Sequence, residues 1–168
     1  NGIYREGKRS IYEGGHRVPF FIRWPAKVKA GSLWDAPVCQ TDLLATFAEM
    51  VGAKLPPDAG EDSDSFYPVL IGQKPKADRV PMIHHASSGR FAIRDGKWKL
   101  VMPHARNQAE LYDLREDPSE KKDLAKAQPQ LVKRLTQHIS TIVRNGRSTE
   151  GLAQANDTPA WPDLAWMQ

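Results

Sequence analysis

The 168-residue chain holds 24 Lys and Arg against 20 Asp and Glu, a formal charge of +4, with 40% apolar and 26% charged residues. That is the balance of a folded chain with a core of its own. No apolar run reaches the length of a membrane span, the basic residues form no stripe of the kind nucleic acid selects, and the single Cys excludes an internal disulfide.

Asn1 to Pro19 reads N-G-I-Y-R-E-G-K-R-S-I-Y-E-G-G-H-R-V-P. Glycines stand here among Arg5, Lys8, Arg9 and Arg17. Gly14-Gly15 permits a close backbone approach, and Lys8, after Gly7, offers its ammonium from a loop. Backbone N–H groups beside a Lys point charge are one way to build an anion site. The plainer reading is a solvated basic turn. Val18 to Trp24 (V-P-F-F-I-R-W), closed by Pro25, predicts a buried strand. Ala26 to Trp34 reads as a loop.

Thr41 stands at an N-cap position for a helix over Asp42 to Val51, with Leu44, Phe47, Ala48 and Val51 at helical spacing and Gly52 at C′. Cys39, just before it, reads as a small apolar residue. Lys54 to Ser65 is a surface loop whose Asp58, Glu61, Asp62 and Asp64 lack the spacing of a calcium loop. Phe66 to Gly72 reads as a short helical turn. Val80 to His85 predicts a strand that sends His84 and His85 to opposite faces. The pair cannot therefore hold one metal together, but either one can touch a substrate.

Phe91 to Met102 predicts a hairpin turning at Asp95-Gly96. Ile93 would then lie opposite Trp98 and Phe91 opposite Leu100, all on one face, with Arg94 and Lys97 on the other. Leu111 to Leu114 is a further strand, and Asp117-Pro118 a turn. From Pro129, Leu131, Leu135, Ile139 and Ile142 mark an amphipathic helix that ends at Asn145-Gly146 and covers the sheet. Arg147 to Gln168 is irregular, with Trp161 and Trp166 expected to dock on the body.

The string G-K-x-S-x-Y-E-G-G-x-R-V-P, from Gly7 to Pro19, resembles the segment that follows the D-N-G metal motif in the sulfatase family. Two later stretches resemble that family in the same order. They are A-I-R-x-G-x-W-K-L, from Ala92 to Leu100, and E-L-Y-D-L-x-x-D-P-x-E, from Glu110 to Glu120.

The resemblance implies an alkaline-phosphatase-like α/β parent fold, of which this chain is an α+β part. Residues 1–80 would be the end of the catalytic α/β domain, 81–146 a small antiparallel sheet with its helix, and 147–168 an irregular tail. It implies a sulfuric ester hydrolase in which Asn1 ligates a divalent cation, calcium with magnesium as the alternative, and Lys8 binds the sulfate. His84 and His85 become candidate substrate contacts. An oxygen ligand suits a hard cation, and a Lys suits a tetrahedral oxyanion.

The family's nucleophile, a Cys or Ser converted to formylglycine within C/S-x-P-x-R, has no match here, because Cys39 lies in C-Q-T-D-L. The expectation is a C-terminal part, inactive alone and prone to self-association, whose substrate is an aryl or carbohydrate sulfate ester. A periplasmic or secreted location is implied by the resemblance alone. A phosphate or phosphonate monoester hydrolase and a noncatalytic binding module are the alternatives.

Overall fold

Apolar side chains on both faces of F-A-I-R-D and W-K-L-V place these two segments at the centre of the molecule. In the computed structural model, which describes residues 1–75, 78–157 and 162–167, they are the middle strands of a four-stranded antiparallel sheet of order β1-β2-β3-β4. The strands are β1 Met82–His85, β2 Phe91–Asp95, β3 Trp98–Val101 and β4 Glu110–Asp113.

The β2–β3 turn falls one residue later than expected, at Gly96-Lys97. Ile93 thus pairs with Leu100 rather than Trp98, and Asp95 pairs with Trp98. Phe91 meets Met102, whose N–H donates to its carbonyl at 2.8 Å, and not Leu100. Gly96, with φ 57°, takes the first central position of the turn, which Asp95 could occupy only with strain. Because the pairing moves by two residues, every side chain stays on its expected face. Lys97 lies in the turn itself, and Arg94 pairs with Lys99.

One face of the sheet carries Phe91, Ile93, Leu100, Met102 and Leu111 against Leu135, Ile139 and Ile142 of the long helix Pro129–Asn145. The helix starts on Pro129, which needs no N–H partner there, and stops at Gly146 in the left-handed region, φ 62°. Trp98 and Trp166 pack at the margin of this core, and Trp166 stands edge-on to Phe91 at 5.5 Å. The expectation for Trp161 lies outside the described residues.

The other face carries Ala92, Val101 and Tyr112. It is closed by Ile11 and Tyr12 of the N-terminal segment, which enters the one-turn helix α1, Glu13–His16.

The first half differs from expectation in three ways. Val18 to Trp24 joins no sheet among the described residues, and Val18 and Phe21 are 62% and 90% exposed. A strand needs a partner ladder, and the four strands of this sheet are all paired further along the chain. Helix α2, Leu43–Met50, forms as predicted after a 3-10 turn, Gln40–Asp42. Its Leu44 and Phe47, and Val51 just beyond, point outward, while Thr46 is the buried residue. Thr41 does not cap it. The Asp42 carboxylate takes the Cys39 N–H at 2.7 Å and pairs with Arg79 at 2.7 Å. Thr41 instead donates to Asp62 O at 3.3 Å. The short helix α3, Tyr67–Leu70, sits where the helical turn was expected.

Candidate functional site

The N-terminal segment forms two successive turns. Tyr4 N–H returns to Asn1 O at 3.1 Å, and Ser10 N–H to Gly7 O at 3.0 Å. Lys8 and Arg9 are the central residues of the second turn, and both are exposed. Arg9 has φ 80° and Glu6 has φ 57°. Neither is a glycine, and left-handed backbone costs such residues about 1–2 kcal/mol each. Lys8 is therefore presented from a strained turn.

Hydrogen bonds to its neighbours hold this turn. Gly14 N–H donates to Arg5 O at 2.9 Å. The Ser10 hydroxyl donates to the Glu6 carboxylate at 2.5 Å and accepts the Tyr12 N–H at 3.1 Å. Ser87 N–H reaches Arg9 O at 3.3 Å. The glycines of α1 are obligatory, because a Cβ on Gly14 would stand 2.4 Å from both Arg5 O and Glu6 O, and one on Gly15 only 2.1 Å from Ser10 O.

The structure brings Asn1 and this turn together. The exposed Asn1 donates its side-chain amide to Glu6 O. Its Nδ2 lies where a Cβ on Gly7 would come within 2.9 Å.

An open cleft of about 690 Å³ runs beside the turn, lined by Arg5, Lys8, Arg9, Ser10, Arg90 and Glu110 among others. Its floor is a polar cluster. Arg90 pairs with Glu110 at 2.8 Å and donates to Met102 O and Gln108 O. Tyr12 OH donates to Glu110 at 2.9 Å, and so does Tyr112 OH. The Arg5 guanidinium lies 3.5 Å over the Tyr12 ring. Burial opposes ionisation of Glu110, but hydrogen bonds from Tyr112, Arg90 and Tyr12 outweigh it and lower its pKa. Lys8, Arg9 and Glu6 are exposed at the rim, and Arg5 and Arg90 share the one carboxylate of Glu110 on the floor, so the cleft is net positive.

Beneath α1 lies a second charged cluster, which sequence reasoning missed. Lys99 on β3 is fully buried, 0% exposed. Its ammonium lies 3.0 Å from Glu13 and 2.9 Å from Glu120, both equally buried. Glu120 also accepts the Glu13 N–H at 2.6 Å, and its carbonyl accepts Arg5 at 3.1 Å. Arg94 at 3.2 Å, His16 at 3.1 Å and Arg17 at 3.5 Å also surround Glu13. Burial would raise the Glu13 pKa, but His16, Lys99 and Arg94 hold it well below the usual carboxylate range.

His84 lies on this side of the sheet, stacked on His16 at 3.9 Å. Burial first, then the neighbouring His16 and Lys99, push its pKa down to about 3. Its Nε2 is buried without a hydrogen-bond partner among the described residues. His85 faces the other way and stacks on Phe91 at 4.0 Å. Neither histidine lines the cleft.

No group of three or more His, Cys, Asp or Glu among the described residues is arranged to hold a metal ion.

The model of the N-sulphoglucosamine sulphohydrolase C-terminal family matches residues 2–145. The chain is 36% identical over 155 residues to the N-acetylgalactosamine-6-O-sulfatase of Bacteroides thetaiotaomicron, covering 84% of this chain and 30% of that protein. A solved structure described by the metabolism of multiple glycosaminoglycans in Bacteroides thetaiotaomicron superposes with a TM-score of 0.76 at 35% identity, over 84% of this chain and 32% of that one. Ps i-CgsB in complex with k-i-k-neocarrahexaose superposes with a TM-score of 0.74 at 29% identity, over 92% and 35%. The chain spans about a third of the length of these relatives. The matched residues take in the Lys8 turn, the sheet and the long helix, and the chain belongs to the N-sulphoglucosamine sulphohydrolase C-terminal family, the C-terminal region of sulfatases.

Proposed function

We propose that the chain serves as the C-terminal part of a sulfuric ester hydrolase that acts on sulfated carbohydrate, with Lys8 as its sulfate-binding cation. The observation that carries this is the strained Lys8 turn at the rim of a net positive cleft. An ammonium on a flexible, exposed side chain is suited to a tetrahedral oxyanion, and its charge would stabilise the negative charge that builds on sulfate oxygens as the ester bond breaks. The carbohydrate reading draws on the N-acetylgalactosamine-6-O-sulfatase and on the k-i-k-neocarrahexaose complex named above.

Asn1 would contribute one oxygen to a divalent cation, calcium in the first instance and magnesium as the alternative. Its amide nitrogen is occupied by Glu6 O, which leaves Oδ1 free for a hard cation. Such a cation would supply Lewis-acid neutralisation of the ester oxygens. The remaining ligands and the formylglycine nucleophile would come from residues outside this chain, which alone would be inactive.

An uncovered apolar surface supports the same division. Phe21, Leu33 and Val51 are 90%, 91% and 78% exposed, and Phe47 of α2 and Trp34 are about half exposed. Large apolar side chains left this exposed are suited to cover by another body. In this reading that body is the rest of the sulfatase.

The test is to assay the whole protein, as encoded by its gene, on a 6-O-sulfated N-acetylgalactosamine and on the matching phosphate ester. Sulfate release that falls about 100-fold or more in Lys8→Ala is expected, the scale for losing one oxyanion donor. Preference for the phosphate ester would favour the phosphomonoesterase alternative. Turnover of neither ester would favour a binding module.

A further inference from the structure

We propose that Lys99 is a positioning residue for the Lys8 turn, acting through Glu13 and Glu120. The inference rests on the reading of Lys8 as the sulfate-binding cation. Lys99 touches neither the cleft nor the turn. It sits at the centre of the sheet, and its ammonium bridges two fully buried carboxylates from different parts of the chain.

Each of those carboxylates belongs to a residue that grips the turn. Glu13 opens α1, whose next residue, Gly14, donates to Arg5 O. Glu120 accepts Arg5 on its carbonyl and the Glu13 N–H on its carboxylate. Arg5 stands two residues before the Lys8 turn; its side chain is also held by Tyr112 OH, Glu110 and the Tyr12 ring, and its contacts with Gly14 and Glu120 are the ones that lead toward the Lys99 ammonium.

The backbone supports this assignment. The described residues other than glycine with positive φ are Glu6, Arg9, Ala105 and Glu120. Glu6 and Arg9 flank Lys8, and Glu120 is the far anchor. Strain at a turn persists only where its surroundings over-determine it. Of these strained residues, Glu120 lies in the buried charge cluster, in which an ammonium between two carboxylates fixes the distance between α1 and the Asp117–Glu120 turn. A cluster that served packing alone would not need its strained residues at both ends of the chain of contacts.

A double-substitution cycle in the whole protein tests the assignment. Lys8→Ala, Lys99→Met and the double variant are compared by kcat/KM on the sulfate ester. If Lys99 acts by placing Lys8, Lys99→Met approaches the loss of Lys8→Ala, about 100-fold, and the double variant falls no further. If the two losses multiply, Lys99 does not act through Lys8 and the inference is overturned, while the reading of Lys8 stands. If Lys8→Ala keeps full activity, the reading of Lys8 itself fails and takes the inference with it.

Lys99→Met removes the ion-pair partner of the buried Glu120, so Glu120→Gln, which preserves shape and can still accept the Glu13 N–H, is run beside it. Hydrogen exchange at the Ser10 amide provides a readout independent of turnover. Exchange that quickens tenfold or more in Glu120→Gln, while the β2 and β3 amides keep their protection, is the expected result. Unchanged Ser10 exchange together with unchanged kcat/KM in Glu120→Gln would overturn the inference.

Discussion

Gly14→Ala is the smallest change that should disable the Lys8 turn. Within a helix, Ala is normally the better residue by about 1 kcal/mol. At Gly14 the added Cβ would lie 2.4 Å from the carbonyl oxygens of Arg5 and Glu6. Carbon and oxygen in close contact rest at about 3.3–3.6 Å, so one of the two backbones must retreat by about 1 Å. Helix α1 is held by the Glu13 carboxylate in its buried cluster, and the turn carrying Lys8 is exposed, so the turn yields. Overpacking of this kind costs about 1–3 kcal/mol, which reverses the sign expected from helix propensity. A displacement of about 1 Å at a charge-stabilising group costs on the order of 100-fold in rate. The assay is kcat/KM for sulfate release beside a thermal melt of the same preparation. A Gly14→Ala protein that melts higher and turns over at the parent rate would show that the turn and α1 are not coupled as described.

Three further outcomes are expected. His84 has a folded-state pKa near 3 against about 6.5 in an unfolded chain. Between those values the unfolded chain binds a proton that the folded one does not. Stability from neutral His84 is therefore complete above about pH 6.5 and drains as pH falls toward 3, by up to about 1.4 kcal/mol per pH unit. His16, Lys99, Glu13 and Arg94 are the charged groups that act on it. His84→Phe should flatten this slope, read as the pH dependence of β1 and β2 amide exchange. Ile139→Ala, at a fully buried site against the sheet, should cost about 2–5 kcal/mol in a urea titration. Phe47→Ala should cost no more than about 0.5 kcal/mol in residues 1–168 alone, as at an exposed site, but about 3 kcal/mol in the whole protein, where that face is covered. Sedimentation should also show residues 1–168 alone self-associating through Phe21 and Phe47, and a Phe21→Ser, Phe47→Ser variant doing so less.

The sheet and its long helix were legible because their signals are local. A turn signal at Asp95-Gly96 between two apolar segments marked β2 and β3, a stripe of i, i+4 residues with Pro129 and Gly146 at its ends marked the helix, and both appear within a residue or two. The hairpin register was displaced by two residues because Asp95-Gly96 and Gly96-Lys97 both offer a glycine to the turn, and only the backbone shows which position it takes. Val18 to Trp24 has the composition of a buried strand, yet composition cannot supply a partner, and none lies in this sheet. The stripe on α2 failed in the same way, since periodicity shows that a face is apolar without showing what it packs against.

The Lys99 cluster was missed because Lys and Glu in a sequence read as surface. A signal was present all the same. F-A-I and L-V-M carry apolar residues on both faces of the hairpin, so a strand through them is covered on both sides, and a Lys between Trp98 and Leu100 then has to be buried with its own counter-charges. Asn1 and Lys8 were assigned by resemblance to a motif. The contacts through Glu6 and Gly7 that bring them onto one loop follow from the positive φ of Glu6, which no residue type in the string announces.

The most direct measurement is a crystal structure of the whole protein with sulfate bound in its catalytic cleft. The account predicts the Lys8 ammonium at about 2.7–2.9 Å from a sulfate oxygen, the charge-assisted distance, with Glu6 and Arg9 still left-handed and Lys99 still between Glu13 and Glu120. Sulfate held entirely by other residues, with Lys8 extended into solvent, would contradict it.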